Sequence, residues 1–532
     1  MNGKIRTSSM IGGARNFGRR DLLKCAGGFG AFAAVQGILP GSARAASPKS
    51  GGHLRVGTGF GSTTDSLDPA TTEHGMTINI NYTYANNLME VGNDGSLVNE
   101  LAEQHETEDG KTWYFRLRKG VEFHNGKTLT PDDVVASFEH HIREGSRSAA
   151  KGLLSSVESV RRDGKDGVVF ELSEPNADFA FLTSDFHLII LPSEDGMIDA
   201  TGGVGTGAYK LDRFDPGVRA EFSRNPNYWK EGRGHFDSVT IVSLVDVTAR
   251  QNAVLNGDAD VIDRVDPKTV SIMSRAPNLS ILEVTGTQHY TFPMRLDSSP
   301  FNNLDMRLAM KYAINRQEML DKILLGHGVL GNDHPIAVAN TYHADGLEQR
   351  SYDPDLARHH FEKSGHVGPV QLHVSDAAFA GAVDAAQLLS ASASAAGIEI
   401  EVVREPTDGY WSNVWNKKPW CACYWGGRPT EDWMFSTAYT ADTEWNDTAW
   451  RDTPAADKFN SIVKQARAEL DTGKRQQLYT EAQTLVRDDG GTIVPMFANY
   501  IMAASNKLEH DEQVAANWDL DGNKIAERWW FA

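Results

Sequence analysis

Hydrophobic and polar positions alternate with a period of two along Lys111-Thr112-Trp113-Tyr114-Phe115-Arg116-Leu117-Arg118. That pattern places Trp113, Phe115 and Leu117 on one face of a strand. His53-Leu54-Arg55-Val56-Gly57-Thr58 reads as another strand, and Asn125-Gly126 after Phe123 is a tight-turn signal. Thr130-Pro131-Asp132-Asp133 opens a helix. Thr130 can cap it, Pro131 already has the first-turn φ, both acids suit the N-terminus, and Val134, Val135 and Phe138 follow at helical spacing. From Asn303 the period shifts to that of a helix, with Met306, Ala309, Met310 and Ala313 on one face. Two later stripes, Phe459, Ile462, Val463, Ala466 and Leu470, then Leu478, Ala482 and Leu485, predict two more helices with core faces. Strands and helices are interspersed without an internal repeat, so the class is α/β or α+β.

A glycine cluster, Gly202-Gly203-Val204-Gly205-Thr206-Gly207, looks at first like a phosphate loop. It lacks the G-x-G-x-x-G spacing and the Walker lysine, and it leads into a strand pattern at Ala208-Tyr209-Lys210-Leu211 rather than a helix. Glycines here permit a tight chain crossing or close approach of backbone to a ligand.

The chain has 532 residues, room for three domains at about 150 residues each or for one large mixed one. Its 40% hydrophobic and 23% charged residues are an ordinary globular mix. The net charge of −19 argues against a nucleic-acid partner, because phosphate binding needs clustered Lys and Arg. No apolar run of about 20 residues is present that could cross a bilayer. The first 45 residues differ from the rest. Lys4, Arg6, Arg15, Arg19, Arg20 and Lys24 precede a Gly/Ala-rich apolar stretch, and Ala43-Arg44-Ala45 supplies a small-residue cleavage site. Arg19-Arg20-Asp21-Leu22-Leu23-Lys24 resembles a twin-arginine export motif, so residues 1–45 are expected to be a signal peptide cleaved near Ala45, with a periplasmic destination. The remainder then carries 45 basic against 70 acidic residues, a net −25. Cys421 and Cys423, the two cysteines past that point, are expected to be buried apolar side chains, since a bridge across one residue is badly strained.

A scan for catalysis finds no G-x-S-x-G elbow, S-x-x-K or H-E-x-x-H. His140-His141 and His359-His360 point about 100° apart on a helix, chelate poorly, and read as solvated helix surface. The chain is therefore expected not to be an enzyme and to hold no cofactor or metal. One late segment stands out: Tyr410-Trp411-Ser412-Asn413-Val414-Trp415, then Trp420, Tyr424, Trp425, Gly426, Gly427, Arg428, Glu431, Asp432 and Trp433. Aromatic walls with a few placed polar groups are the composition of a ligand pocket, and the Trp-Gly-Gly-Arg-Pro turn offers exposed backbone and a guanidinium fork.

Three stretches carry a resemblance to a known family. The first runs from Leu101-Ala102-Glu103 through Asp109-Gly110-Lys111-Thr112-Trp113 and Glu122-Phe123-His124-Asn125-Gly126 to Leu129-Thr130-Pro131-Asp132-Asp133-Val134. The second is Gly205-Thr206-Gly207-Ala208-Tyr209 with Arg224-Asn225-Pro226-Asn227-Tyr228-Trp229. The third is Pro300-Phe301 with Arg307-Leu308-Ala309-Met310-Lys311-Tyr312-Ala313-Ile314-Asn315-Arg316. In that order they resemble the extracellular solute-binding proteins of family 5, from peptide and nickel ABC importers, over essentially all of 50–532.

The resemblance implies a periplasmic-binding-protein type II-like α/β fold, with two main lobes plus an inserted one, mixed sheets flanked by helices, and a ligand cleft at the hinge. Lobe I would comprise 46–85, 193–291 and 497–532, lobe II 86–192, and lobe III 292–496. It also implies a monomer that closes over a small molecule or short peptide, a ligand-shifted equilibrium, and delivers it to ABC permease subunits in the inner membrane. In the family's peptide carriers the tryptophan matched by Trp425 is followed three residues later by an aspartate that pairs with the peptide's α-amino group. Here that position is Arg428, which would repel an ammonium and attract a carboxylate. Arg295 stands where the family usually has asparagine. The expected ligand is thus peptide-like or carboxylate-bearing, held by Arg428 with Arg295 against Trp425, Gly426, Gly427 and Tyr410 or Trp411. The competing reading has Glu431 or Asp432 neutralise Arg428, which would then only shape the turn. Other readings are an opine-like or peptide carrier in which Asp432 takes the amine, a carrier of a metal–polycarboxylate chelate, an exported enzyme, and a periplasmic sensor component.

Overall fold

The computed structural model describes residues 48–407 and 409–532; the expected signal peptide, 1–45, lies outside them. Among the described residues no helix is long and apolar enough to cross a membrane. The framework is a nine-stranded mixed sheet. One end is an antiparallel meander of Tyr209–Asp215, Arg219–Arg224 and Ser238–Ser243. His53–Thr58, the strand its sequence predicts, lies parallel to Ser238–Ser243 and to Val261–Ile262. Val261–Ile262 pairs in turn with Met496–Ser505.

Two long antiparallel strands, Leu279–Thr291 and Met496–Ser505, connect two of the protein's apolar cores. Leu282, Val284, Met502 and Ala504 pack into the core around Val56, Ile241 and Trp529, while Tyr290, Met496 and Ala498 pack into the core around Met310, Leu372 and Leu389. Between them the ladder shifts register from Thr285 to His289. Gly286 falls in that bulge, where a Cβ would stand 2.2 Å from the Tyr500 ring. A bulge at the crossing bends both strands together and lets two cores share one backbone.

The third core belongs to a four-stranded antiparallel sheet of Ala102–Glu106, Thr112–Leu117, Gly167–Leu172 and Val157–Asp163. Trp113, Phe115 and Leu117 are buried and Tyr114 and Arg116 exposed, following the alternation. Helix Pro131–Ile142 covers this sheet, capped as its sequence predicts, with Thr130 N–H donating to Asp133 Oδ2 at 2.9 Å. The glycine cluster makes a chain crossing: a Cβ on Gly205 or Gly207 would lie 2.2 or 2.4 Å from the Tyr84 carbonyl group.

Helix Leu304–Ala313 buries Met306, Ala309, Met310 and Ala313 as expected. Helix Pro454–Ala468 buries Phe459, Ile462, Val463 and Ala466, but Leu470 lies beyond its end and is exposed. Helix Thr472–Asp488 turns a different face inward, burying Arg475, Tyr479, Ala482, Gln483 and Val486 and leaving Leu478 and Leu485 half-buried. Distant segments supply the partners that allow this. Arg475 pairs with Asp178 at 2.5 Å, and Gln483 donates to the Tyr342 carbonyl at 2.8 Å. Of the histidine pairs, His359 is exposed as expected, and the other three are engaged with the protein. His141 is buried, bonded to Ser148 Oγ at 2.6 Å and lowered by burial to about 4, while His140 meets Asp68 at 2.8 Å. His360 meets Asp305 at 2.8 Å. Cys421 and Cys423 are buried and free, and burial pushes both thiols up.

Candidate functional site

The aromatic segment ends at the edge of the main sheet. Cys423–Trp425 pairs antiparallel with the end of the long strand, Tyr290 opposite Tyr424 and His289 opposite Trp425. Alternation then buries Cys423 and Trp425 and exposes Tyr424. The chain leaves the strand through Gly426-Gly427, hard against the neighbouring strand. A Cβ on Gly427 would stand 1.9 Å from Thr287 Cβ, so only glycine passes here. Gly426 faces the Trp518 ring, 3.9 Å from where a Cβ would be. Trp518 in turn meets Phe186 edge-on at 6.0 Å. The turn therefore lies against the bulged strand crossing, with Trp518 and Phe186 beside it.

Arg428 sits in that turn. Its Nη1 donates to the Gly426 and Gly427 carbonyls at 2.7 and 3.2 Å, and Asn340 Nδ2 holds the Arg428 carbonyl at 3.0 Å. Among the described residues no carboxylate lies within 4.0 Å of its guanidinium. Burial lowers its pKa, and the charge of Asp185, itself bonded to the His187 ring at 2.5 Å, partly opposes this. The two nearby acids are engaged elsewhere. Glu431 Oε1 accepts from Tyr342 N–H at 2.6 Å, and burial lifts this carboxyl to about 7. Asp432 accepts from Arg467 Nε at 2.9 Å. Neither neutralises Arg428, and Asp432, paired in this way, is not placed to receive a ligand amine.

The aromatic residues divide into wall and support. Trp411, Tyr424 and Trp445 are 40%, 42% and 50% exposed, and Trp411 meets Tyr424 edge-on at 5.7 Å. Trp415 and Trp425 stand behind them, 6.0 Å apart, with Trp445 at 6.1 Å from Trp425. Trp415 Nε1 donates to Asp447 at 3.1 Å. Burial raises Asp447 to about 6, opposed by the bonds it accepts from Trp415 and Trp425.

Two sequence-derived candidates require correction. Tyr410 is 1% exposed and donates to the Ala422 carbonyl at 2.7 Å, so it is a core residue, and of the two aromatic residues on the short helix Tyr410–Asn413 it is Trp411 that is exposed. Arg295 bonds Asp297 through Nε and Nη2 at 3.1 and 2.6 Å and Asn416 through Nη1. Its donors are occupied inside the protein, which takes it out of the ligand set. Sequence reasoning missed Trp518, which lies against Gly426, Tyr500, which lies against Gly286 in the bulge, and Trp445, which packs on Trp425. The one local signal available was Trp445, which continues the aromatic density past Trp433.

Residues 96–447 match the model of "Bacterial extracellular solute-binding proteins, family 5 Middle". A dipeptide-binding protein of Escherichia coli (strain K12) is 24% identical over 74% of this chain and 79% of that protein. Heme-binding protein A of Haemophilus influenzae is 28% identical over 50% of this chain and 53% of its own. Among solved structures, the binding protein AgaA of A. tumefaciens R10 in complex with agropinic acid has a TM-score of 0.74 at 20% identity, covering 90% of this chain and 99% of that one. The substrate-binding protein CtaP of Listeria monocytogenes has a TM-score of 0.78 at 18% identity, covering 91% and 100%. These likenesses establish the mixed α/β fold with helix-flanked sheets.

Proposed function

The chain belongs to the bacterial extracellular solute-binding proteins of family 5, and from that membership we propose that it captures a small carboxylate-bearing solute in the cleft beside the bulged strand crossing, with Arg428 as the anion-binding group. It is the substrate-binding component of an importer. In this reading it works in the periplasm as a monomer, after loss of residues 1–45, and hands its solute to ABC permease subunits. Lobes of 46–85 with 193–291 and 497–532, of 86–192, and of 292–496 would close over the ligand about the bulged strand crossing. The Asp178–Arg475 and Glu174–Lys464 pairs, at 2.5 and 2.7 Å, already join segments that closure brings together.

The observation that carries the reading is Arg428 itself: a desolvated cation whose near protein contacts are backbone carbonyls, beside an exposed aromatic wall. A desolvated charge is normally paired, and a ligand carboxylate supplies the pair with a bidentate bond. Agropinic acid on one solved neighbour is an acidic ligand on the same fold, and Ni(L-His) on another keeps a chelate in view.

The test is a thermal-shift screen of refolded, ligand-free protein. Its panel holds di- and tripeptides, amino-acid conjugates, and polycarboxylates with and without metal. A ligand at 100 times its Kd adds about 2.7 kcal/mol of stability. Hits among carboxylates that vanish in Arg428→Ala are expected. Preference for free-amine peptides over acids lacking an amine, unchanged in Arg428→Ala, would sink the proposal.

A further inference from the structure

Residues 173–178 join strand Gly167–Leu172 to the short helix Phe179–Leu182 and are braced from their own side. Asn176 N–H donates to the Gly110 carbonyl at 2.8 Å, and Asn176 Oδ1 accepts from Asp178 N–H at 2.9 Å. Three residues of this segment reach across to the helices Pro454–Ala468 and Thr472–Asp488. Ala177 N–H donates to the Arg467 carbonyl at 2.7 Å, Asp178 Oδ2 meets Arg475 Nη2 at 2.5 Å, and Glu174 meets Lys464 at 2.7 Å. Trp433, on helix Glu431–Ala438, packs against the core of Trp113 and Phe179. Among the described residues these three contacts are all the hydrogen bonds and ion pairs that join 86–192 to 292–496, so the polar contacts between the two are gathered in one strip.

The middle contact belongs to the joined arrangement alone. The Asp178 and Arg475 side chains are 5% and 8% exposed, and they stand on separate cores, one holding Phe179 and the other Tyr479. Parting the strip would return both ions to water, removing the charge-assisted bond and the desolvation cost together. Arg475 is set in place for the bond. Its guanidinium lies 4.8 Å over the Tyr342 ring and 5.5 Å over the Tyr479 ring, and Nη1 donates to Tyr342 Oη at 3.3 Å. Apolar burial of Trp433 and the Ala177 backbone bond favour the joined arrangement further. One short segment links the strip to the Arg428 turn. Tyr342 N–H donates to Glu431 at 2.6 Å, and Asn340 Nδ2 donates to the Arg428 and Pro429 carbonyls at 3.0 and 3.3 Å.

Resting on the reading that these lobes close over a solute, we propose that the strip is a closing clasp, centred on Asp178 and Arg475, that sets how much of the ligand-free protein is closed. Apparent affinity scales with the fraction of protein in the binding-competent state. Asp178 and Arg475 are then positioning residues, acting on any solute through the closing equilibrium.

Spin-label distance measurements on refolded, ligand-free protein test this, with labels on Lys119→Cys and Lys458→Cys, both exposed. Cys421 and Cys423 are buried with their thiols held protonated, which keeps the labels at the surface. Two distances are expected, a short one for the closed clasp and a long one for the open. Asp178→Asn lowers the short-to-long ratio at least about ten-fold, and Arg475→Lys lowers it less. Glu174→Gln, at a pair exposed on both sides and so without risk to either core, lowers it about two-fold. Arg161→Gln, which breaks an exposed pair with Glu171 inside 86–192, leaves it unchanged. A single long distance in the unaltered protein, or a ratio that Asp178→Asn and Glu174→Gln leave in place, overturns the clasp. A single short distance that persists even in Asp178→Lys, where two cations face each other, means that the lobes do not part, and the closure reading itself has failed.

Discussion

Glu90, Glu100 and Glu527 meet Lys230, Lys524 and Arg528 in a buried network, whereas among the described residues the Arg428 guanidinium has no carboxylate within 4.0 Å. In the network Lys230 Nζ lies 2.5, 3.3 and 2.8 Å from Glu90, Glu100 and Glu527. Lys524 pairs with Glu100 at 3.0 Å and Arg528 with Glu90 at 2.7 Å. Burial pushes the Glu90 carboxyl up, yet the charges of Lys230, Lys524 and Arg528 hold it well below the usual range. Its three carboxylate oxygens lie close enough to suit a metal ion, but ammonium and guanidinium groups already fill their lone-pair directions. The network pairs every one of these carboxylates with a cation, although Glu527 Oε2 and Arg528 Nε lack a hydrogen-bond partner, and it ties the first strands after Asn87 to the C-terminal turn. Arg428 is a cation of the same kind whose hydrogen bonds go to backbone carbonyls instead. In the proposed reading, a solute carboxylate completes the charge that the protein leaves incomplete there.

Lys230→Met should break the complete side hardest. Glu527 loses the cation within 4.0 Å of it, and breaking a buried pair from one side costs about 3–5 kcal/mol. Urea unfolding should show this loss, whereas Arg428→Ala, which orphans no partner, should leave the ligand-free midpoint nearly in place. Gly427→Ala attacks the geometry of the incomplete side. The new methyl would stand 1.9 Å from Thr287, so a loss of about 1–3 kcal/mol is expected, with weaker ligand binding as Arg428 shifts.

The smallest effect sharpens the contrast by pH. Glu431 keeps its proton in the folded chain up to about 7, while in the unfolded chain it releases it near pH ~4.3. Between those values the folded state binds more protons, so stability declines as pH rises, by at most about 1.4 kcal/mol per pH unit from this group. Urea midpoints from pH 4.5 to 7.5 should decline less steeply in Glu431→Gln. A steeper decline in that variant would mean that Glu431 is ionised and paired, with Arg475 the cation whose charge acts on it.

Local pattern carried the sequence reading wherever one element decides the outcome. The Thr112–Leu117 alternation, the Thr130 cap and the Asn303 helix all depend on neighbours within a few residues. It failed where a distant partner decides. The inward face of Thr472–Asp488 includes Arg475 and Gln483 because Asp178 and Tyr342 come to meet them. Arg295 has Asp297 two residues away, but only the fold brings Asn416 to it as well and leaves Arg428 facing carbonyls.

By itself, then, the sequence determined the family, the order of strands and helices, and the presence of an arginine in the turn after Trp425, because periodicity, capping and short motifs act over a few residues. Only the tertiary structure decided which aromatic rings are exposed and which are core, and which arginines are paired. Desolvation and ion pairing depend on what lies within a few ångströms in space, and here those neighbours are tens to hundreds of residues apart along the chain.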